Sequence, residues 1–130
     1  MRKISRLELE DVRIILNNAE TEARKIGVDM DIAVVDDGGN LLGFVRMDRA
    51  KVTGIQISID KAFTAACTRR KTADYKPVGA PDGPAFGIHS SHHGRFTIYG
   101  GGVRKLPSAK DALALGNRDR QYRPAGRSGA

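Results

Sequence analysis

The chain has 130 residues, of which 40% are apolar and 28% charged, a composition typical of one globular domain with a single core. No apolar run approaches the roughly 18 residues that cross a bilayer, and the start of the chain lacks the apolar segment of a secretory signal, so we expect a cytoplasmic protein with no membrane partner. The single cysteine, Cys67, excludes an intrachain disulfide.

The net charge of +7 is concentrated near the end of the chain. Residues 104–130 hold seven basic and two acidic side chains, whereas residues 1–103 hold 15 basic and 13 acidic ones. The main part of the chain is therefore nearly balanced, and its basic residues do not cluster with aromatic ones as a stacking surface for bases would require. We expect a solvated basic tail and no nucleic-acid partner.

The first predicted element is an amphipathic helix. Ser5 and Glu8 have the spacing of a capping box, and Ile4 and Leu9 are placed to form the accompanying hydrophobic staple. The helix is expected to end near Gly27, because glycine readily adopts the left-handed conformation that follows helices. One face carries apolar residues at alternating steps of three and four, which predicts the burial of Leu9, Val12, Leu16, Ala19, Ala23 and Ile26.

A β-hairpin is predicted next, with strands over residues 31–35 and 41–47. The connecting residues read Asp-Asp-Gly-Gly-Asn, and these residue types supply the positive φ that hairpin loops require. Both faces of the first strand are apolar, so we expect helices or another subunit to cover the sheet on both sides. Asp36 and Arg46 lie at strand ends, where they can either serve a ligand site or cap the turn.

A second helix is predicted over residues 53–73. Ile57 and Ala65 lie off its expected core face, which hints at contact with a partner chain. Asp60 and Lys61 are expected at the surface, because adjacent helical residues do not face each other. Cys67 is expected to serve packing. Helical spacing assigns the core face to Val52, Ile55, Ile59, Ala62, Phe63 and Ala66.

The residue types best suited to bind a ligand or a metal ion are concentrated in residues 86–103. All three histidines, His89, His92 and His93, precede a predicted strand over residues 95–99 and a glycine triplet. Imidazole is the commonest protein metal ligand and titrates near neutrality, so the pattern predicts a ligand or metal site beside the sheet. The alternative is a polar loop whose histidines only hydrogen-bond to the backbone. The backbone of Gly100 and Gly101 can approach a ligand closely.

Three segments, VVDDGGNLLGFVRMDRA, SIDKAFTAA and GPAFGIHSSHHGRFTIYGGGV, follow one another in an order that resembles the GlcG/HbpS family. This is also known as the haem-degrading or DUF336 family, and it is related to the C-terminal domain of PduO. The resemblance implies a single profilin-like α/β (α+β) domain, in which helices flank an antiparallel sheet. It also implies assembly into homo-oligomers and the binding of haem or another tetrapyrrole.

The chain departs from the family pattern after Val103, where members continue with a glycine-rich strand and a closing helix. We therefore divide it into a domain over residues 1–103 and a divergent basic tail over residues 104–130. In the tail, Ser108 is placed to cap a short helix that runs through Leu115 and ends at Gly116, followed by disorder. Without a replacement strand, an edge of the sheet would be exposed.

On the family resemblance, the expected function is a haem-binding protein that stores, senses or slowly degrades haem. His89, or failing that His92, would supply the axial ligand to iron, with Tyr99 as a phenolate alternative. Arg95 would pair with the propionates, and His93 belongs to the same cofactor-binding loop.

A divalent metal ion is an alternative cofactor, held by His89 and His92 with a hairpin carboxylate such as Asp36. A function of a different class is a small-molecule-binding protein or enzyme of a catabolic operon, with a loop histidine as general base beside Arg46 or Arg95. Its ligand would lie at the glycine triplet. A purely structural oligomer is a third possibility.

Overall fold

The structure, a computed structural model, describes residues 1–104 and 112–116. Within these residues, the helices are α1, Leu9–Lys25, and α2, Gly54–Thr68, and the strands are β1, Asp31–Val35, β2, Leu41–Arg46, β3, Gly102–Arg104, and β4, Ala112–Gly116. Short 3-10 turns cover Thr72–Tyr75, Ile88–Ser90 and His92–Gly94. The described strands form one antiparallel sheet in the order β2-β1-β4-β3, which confirms the predicted α/β class. None of the described helices combines the length and the apolar character that crossing a membrane requires.

The sheet is covered on both faces, since every residue of β1 is buried. On one face, Ile32 packs with residues in and next to α1, and on the other, Ala33 and Val35 pack against α2. The small side chains on α2 allow this helix to lie close to the sheet. The prediction of cover on both sides is confirmed, and two helices of the chain itself supply it. The contacting side chains are Ala23, Met30 and Met47 on the first face and Ala62, Ala65 and Ala66 on the second.

Helix α1 begins three residues later than the predicted capping box would place it. Glu8 is the N-cap, and its backbone N–H donates to Asp11 Oδ2 at 2.8 Å. The predicted box of Ser5 and Glu8 is therefore wrong, because the carboxylate of Asp11 completes the box one turn further on. Leu9 is 60% exposed and does not belong to the core. The helix ends next to Gly27, whose φ of 71° is the left-handed conformation that the sequence predicted.

Helix α2 ends at Thr68, earlier than the predicted residue 73, because Arg69 adopts a left-handed φ of 58°. Two predictions about its surface are wrong. Ala65 is fully buried against the sheet and so cannot face a partner chain. Lys61 is only 3% exposed, and its ammonium lies 4.8 Å from the centre of the Tyr99 ring. A lysine can be buried in this way because its aliphatic stem packs against apolar groups and its charge interacts with an aromatic face.

The predicted strand over residues 95–99 is also wrong, since the described strand nearest to it is β3, beyond the first glycines of the triplet. The backbone around Arg95 and Thr97 is bonded to the hydroxyl of Thr64 on α2 and not to the sheet. Alternating aromatic and β-branched residues indicate extended backbone, but they do not determine what that backbone pairs with.

Strand β4 lies between β1 and β3, so that β1 has a hydrogen-bonded neighbour on each side. The predicted tail helix is therefore wrong over residues 112–115, and Ser108, its expected cap, lies outside the described residues. A strand thus occupies the position in the sheet for which the divergent sequence predicted no strand. The predicted disorder falls on residues outside the described part, and the division of the chain at residue 103 stays a prediction.

Candidate functional site

A pocket of about 470 Å³ lies between α2 and the loop that carries the histidines. From α2 it is lined by Ile57 and Asp60, and from the loop by His89, Gly94, Phe96, Thr97, Ile98 and Tyr99. Ile57, Asp60 and Thr64 share one face of the helix, because residues three and four apart neighbour each other. That face points away from the sheet. Ile57 was expected to contact a partner chain, and here it forms a wall of the pocket.

Asp60 is the acidic group of the pocket, and its side chain is only 15% exposed. Its Oδ1 accepts a hydrogen bond from Gln56 Nε2 at 2.8 Å and another from Arg95 Nε at 3.2 Å. The guanidinium of Arg95 also lies 3.9 Å from the centre of the Phe63 ring. Arg95 was expected to pair with the haem propionates. Its guanidinium is instead paired with Asp60, and this contact fastens the loop to α2.

The three histidines have different surroundings. His89 lines the pocket, with its ring centroid 6.1 Å from that of the exposed Phe86. His92 lies edge-on to Phe63 at 5.8 Å, and its Nδ1 is 3.0 Å from Ser91 Oγ. His93 is exposed and does not line the pocket. Only His89 of the three thus meets the cavity.

Residues 92–94 form a left-handed turn, with φ values of 54°, 57° and 79° for His92, His93 and Gly94. This conformation costs a residue with a side chain roughly 1–2 kcal/mol. The edge-on contact of the His92 ring with Phe63 helps to hold the turn. His92 does not line the pocket, and its role as second-choice ligand stays a prediction.

Tyr99 lines the pocket beside His89, and burial together with the negative charge of Asp60 raises the pKa of its phenol. A raised pKa keeps the group protonated and makes it a poorer phenolate ligand. Of the candidate ligand groups, His89 and Tyr99 thus both reach the cavity.

Asp36 and Arg46 are far from each other and do not line the pocket. They lie at opposite ends of the hairpin, since Arg46 pairs with Asp31 and Asp36 follows the other end of β1. Five strand residues separate these ends by roughly 16 Å. Asp36 caps the turn, where its Oδ1 accepts the backbone N–H groups of Gly38 at 2.9 Å and Asn40 at 2.8 Å. Although its burial acts in the opposite direction, these bonds lower the pKa of Asp36.

The glycine triplet begins just beyond the pocket wall. Gly100 is exposed, Gly101 has a φ of 126°, and neither lines the cavity. A Cβ on Gly102 would lie 2.5 Å from the carbonyl oxygen of Lys61 and 2.7 Å from Thr72 Cγ2. At this position glycine is required because β3 passes directly against α2.

The structure gives no support to a divalent metal ion. Among the described residues, no three His, Cys, Asp or Glu side chains are grouped closely enough to share one. His89 and His92 point to different surroundings, and Asp36 is occupied by the hairpin turn.

Sequence reasoning missed Asp60 and Thr64 as residues of the site. Their signal was present, because Ile57, Asp60 and Thr64 recur at the spacing of one helical face. That face mixes apolar, acidic and hydroxyl groups, so it did not stand out from an ordinary solvated surface.

Fold and site together define a small α/β domain whose sheet is covered by helices and whose second helix carries a pocket on its outer side. The profile of the haem degrading protein HbpS-like family matches residues 7–104, and the chain belongs to this family. The resemblance predicted from the three sequence segments is thereby confirmed.

Relatives of known sequence or structure agree with this assignment. A 15.0 kDa protein from the dhaT-dhaS intergenic region of Citrobacter freundii is 33% identical over 114 residues, which cover 88% of this chain and 80% of the relative. The crystal structure of Klebsiella pneumoniae protein ORFY is 26% identical and superimposes with a TM-score of 0.85, over 91% of this chain and 83% of ORFY. A haem complex of PduOC is 22% identical, with a TM-score of 0.79 over 85% of this chain and 82% of that one, and it shows the shared fold alone.

Proposed function

We propose that the pocket on α2 binds haem or a closely related tetrapyrrole, with His89 as the axial ligand. The observation that carries the proposal is an imidazole at a cavity of about 470 Å³ whose walls include Ile57, Phe96 and Ile98. Ligand pockets commonly combine such apolar walls with a few polar groups. Membership of the HbpS-like family and the haem complex of the structurally similar PduOC support the choice of ligand.

The residues of the pocket fit a haem group. His89 offers an imidazole nitrogen, the apolar walls suit the macrocycle, and Tyr99 offers a hydrogen-bonding phenol. A bound haem would supply a redox-active iron centre. α2 and the loop would hold the group between them, and Asp60 keeps Arg95 engaged so that this loop stays in place. Storage, sensing and slow degradation of haem are all compatible with this arrangement.

A haemin titration followed by absorbance tests the proposal. The wild type should develop a Soret band, and His89→Ala should weaken binding and shift the band. His93→Ala is the matched control, because His93 lies on the same loop outside the pocket, and it should leave both unchanged. An unchanged spectrum in His89→Ala would remove His89 as the ligand. In wild type, loss of the Soret band over hours with oxygen and a reductant indicates degradation, whereas a stable band favours storage or sensing.

A second candidate is a small-molecule-binding protein or enzyme in which His89 acts as general base. The observation in its favour is that Asp60, His89 and Tyr99, three titratable groups, line the same cavity. It predicts a colourless protein that takes up no added haemin. Native mass spectra should then show a co-purified organic molecule that is lost in His89→Ala and retained in His93→Ala.

We infer also that the chain associates with itself. β2 lies at an edge of the described sheet, and its Leu41 and Leu42 are 49% and 36% exposed. An exposed apolar edge strand favours pairing with another chain. Native mass should exceed that of one chain, and Leu41→Lys should lower it; a monomeric wild type would refute self-association.

A further inference from the structure

We propose that Thr64 is the positioning residue of the pocket, and that its hydroxyl fixes the wall formed by residues 96–99. The consequence for haem affinity rests on the function proposed above. The anchoring itself does not depend on the identity of the ligand.

Thr64 is fully buried, and its Oγ1 meets the loop at two points. It accepts the backbone N–H of Thr97 at 2.9 Å and lies 3.1 Å from the carbonyl oxygen of Arg95. The carbonyl oxygen of Asp60 is also within reach at 2.9 Å. The single hydroxyl proton can be donated to only one of the two carbonyls, but the bond from Thr97 persists in either case.

The anchored segment is the pocket wall. Phe96, Thr97, Ile98 and Tyr99 all line the cavity, and Thr97 is itself the residue bonded to Thr64. The segment belongs to no described strand, so no sheet ladder fixes its position. Buried backbone groups require partners, and here a side chain of α2 supplies the partner that a neighbouring strand would have supplied.

A second contact from α2 acts on the same segment through its side chains. Asp60, one turn before Thr64, holds the guanidinium of Arg95. The wall is thus docked onto α2 through the backbone by Thr64 and through the Arg95 side chain by Asp60. The Asp60 pair is part of the pocket itself, so Thr64 is the cleaner position for a test.

The test compares Thr64→Val with Thr64→Ser and Thr72→Val. Valine keeps the shape of threonine but cannot accept the Thr97 N–H, and serine keeps the hydroxyl. Thr72 is a matched control, because it is equally buried and its Oγ1 accepts the N–H of Gly102 at 2.9 Å, beyond the pocket wall. Urea unfolding of each variant provides the comparison of global stability.

Hydrogen exchange measures the anchoring directly. In wild type, the Thr97 amide should be protected to the same degree as the amides of α2. In Thr64→Val it should exchange roughly tenfold faster relative to α2, whereas Thr64→Ser should remain near wild type and Thr72→Val should leave it protected. An unprotected Thr97 amide in wild type would overturn the proposal without the need for any variant, and so would a protected one in Thr64→Val.

Haemin titration measures the consequence for the pocket. Thr64→Val should bind haemin roughly tenfold more weakly than Thr72→Val of similar stability, with a broadened or shifted Soret band, and Thr64→Ser should restore both. Equal affinity and spectrum in the two valine variants would overturn the positioning role. If wild type takes up no haemin, the proposed function fails, while the exchange measurement still decides whether Thr64 anchors the wall.

Discussion

Gly102→Ala tests whether the last glycine of the triplet is needed for β3 to pass directly against α2. A Cβ at this position would lie 2.5 Å from the Lys61 carbonyl oxygen, 3.0 Å from the Lys61 carbonyl carbon and 2.7 Å from Thr72 Cγ2. The first two atoms belong to the backbone of α2, which cannot rotate away as a side chain can. Overpacking of this kind typically costs about 1–3 kcal/mol, and a rigid neighbour places the expected loss near 2–3 kcal/mol.

Gly100→Ala is the matched control within the same triplet. The nearest atom to its Cβ would be Ala73 Cβ at 3.6 Å, which is ordinary contact, and Gly100 is exposed. We expect a change within about 0.5 kcal/mol.

Urea unfolding of the two variants measures the difference. With a slope of about 1–3 kcal/mol per molar urea, Gly102→Ala should unfold at a midpoint about 0.7–3 M lower, while Gly100→Ala should stay close to wild type. Equal midpoints for the two variants would show that β3 does not pass against α2 as described. They would also reopen the interpretation of the triplet as a flexible ligand-binding loop.

Three further predictions concern the hairpin. Burial raises the pKa of Asp31, whose Oδ1 has no hydrogen-bond partner among the described residues. The native state therefore holds the proton of this carboxyl more tightly than the unfolded chain, and stability falls as pH rises from 3.8 through the raised value. Asp31→Asn should remove that part of the pH dependence of the urea midpoint, and an unchanged pH dependence would contradict the assignment. The pKa of Asp36 is lowered, so its contribution to the free energy of unfolding is present above pH 3.8 and is lost as pH falls through the lowered value. Asp36→Ala should cost about 1–2 kcal/mol at pH 7, and the urea midpoint of this variant should fall less than that of wild type as the pH is lowered through this range. Gly39→Ala should lower stability by roughly 2–3 kcal/mol, because Gly39 has a φ of 81° and the new Cβ would lie 2.6 Å from Phe63 Cδ2. Thermal unfolding measures this loss, and a melting temperature equal to that of wild type would argue against this turn geometry.

The parts of the fold that the sequence predicted correctly are those decided by local chemistry. The hairpin follows from the turn residues 36–40, and the end of α1 follows from the left-handed conformation of Gly27. The start of α1 was misplaced because Ser5 and Glu8 can both cap a helix. Only the carboxylate of Asp11, bonded to Glu8, distinguishes the two starts.

The wrong predictions share a different cause, which is contact between segments that are distant in the sequence. Residues 95–99 have the composition of a strand, but the hydroxyl of Thr64, more than 30 residues earlier, provides their hydrogen-bond partner. Lys61 looked like a surface residue because its neighbour in the fold, Tyr99, lies far along the chain. The sequence singled out the histidine loop as a candidate site, but which histidine faces the cavity depends on how α2 holds that loop.

The position of β4 has a consequence for how the domain reaches its native state. Asp31 pairs with Gly116, a residue 85 positions later, and β3 obtains its described neighbour only when residues 112–116 are in place. Such long-range pairing slows folding, because a large loop must close before the contacts are gained. On the ribosome, β1 therefore keeps one unbonded edge until residues 112–116 have left the exit tunnel. During this interval the nascent chain is most exposed to mispairing.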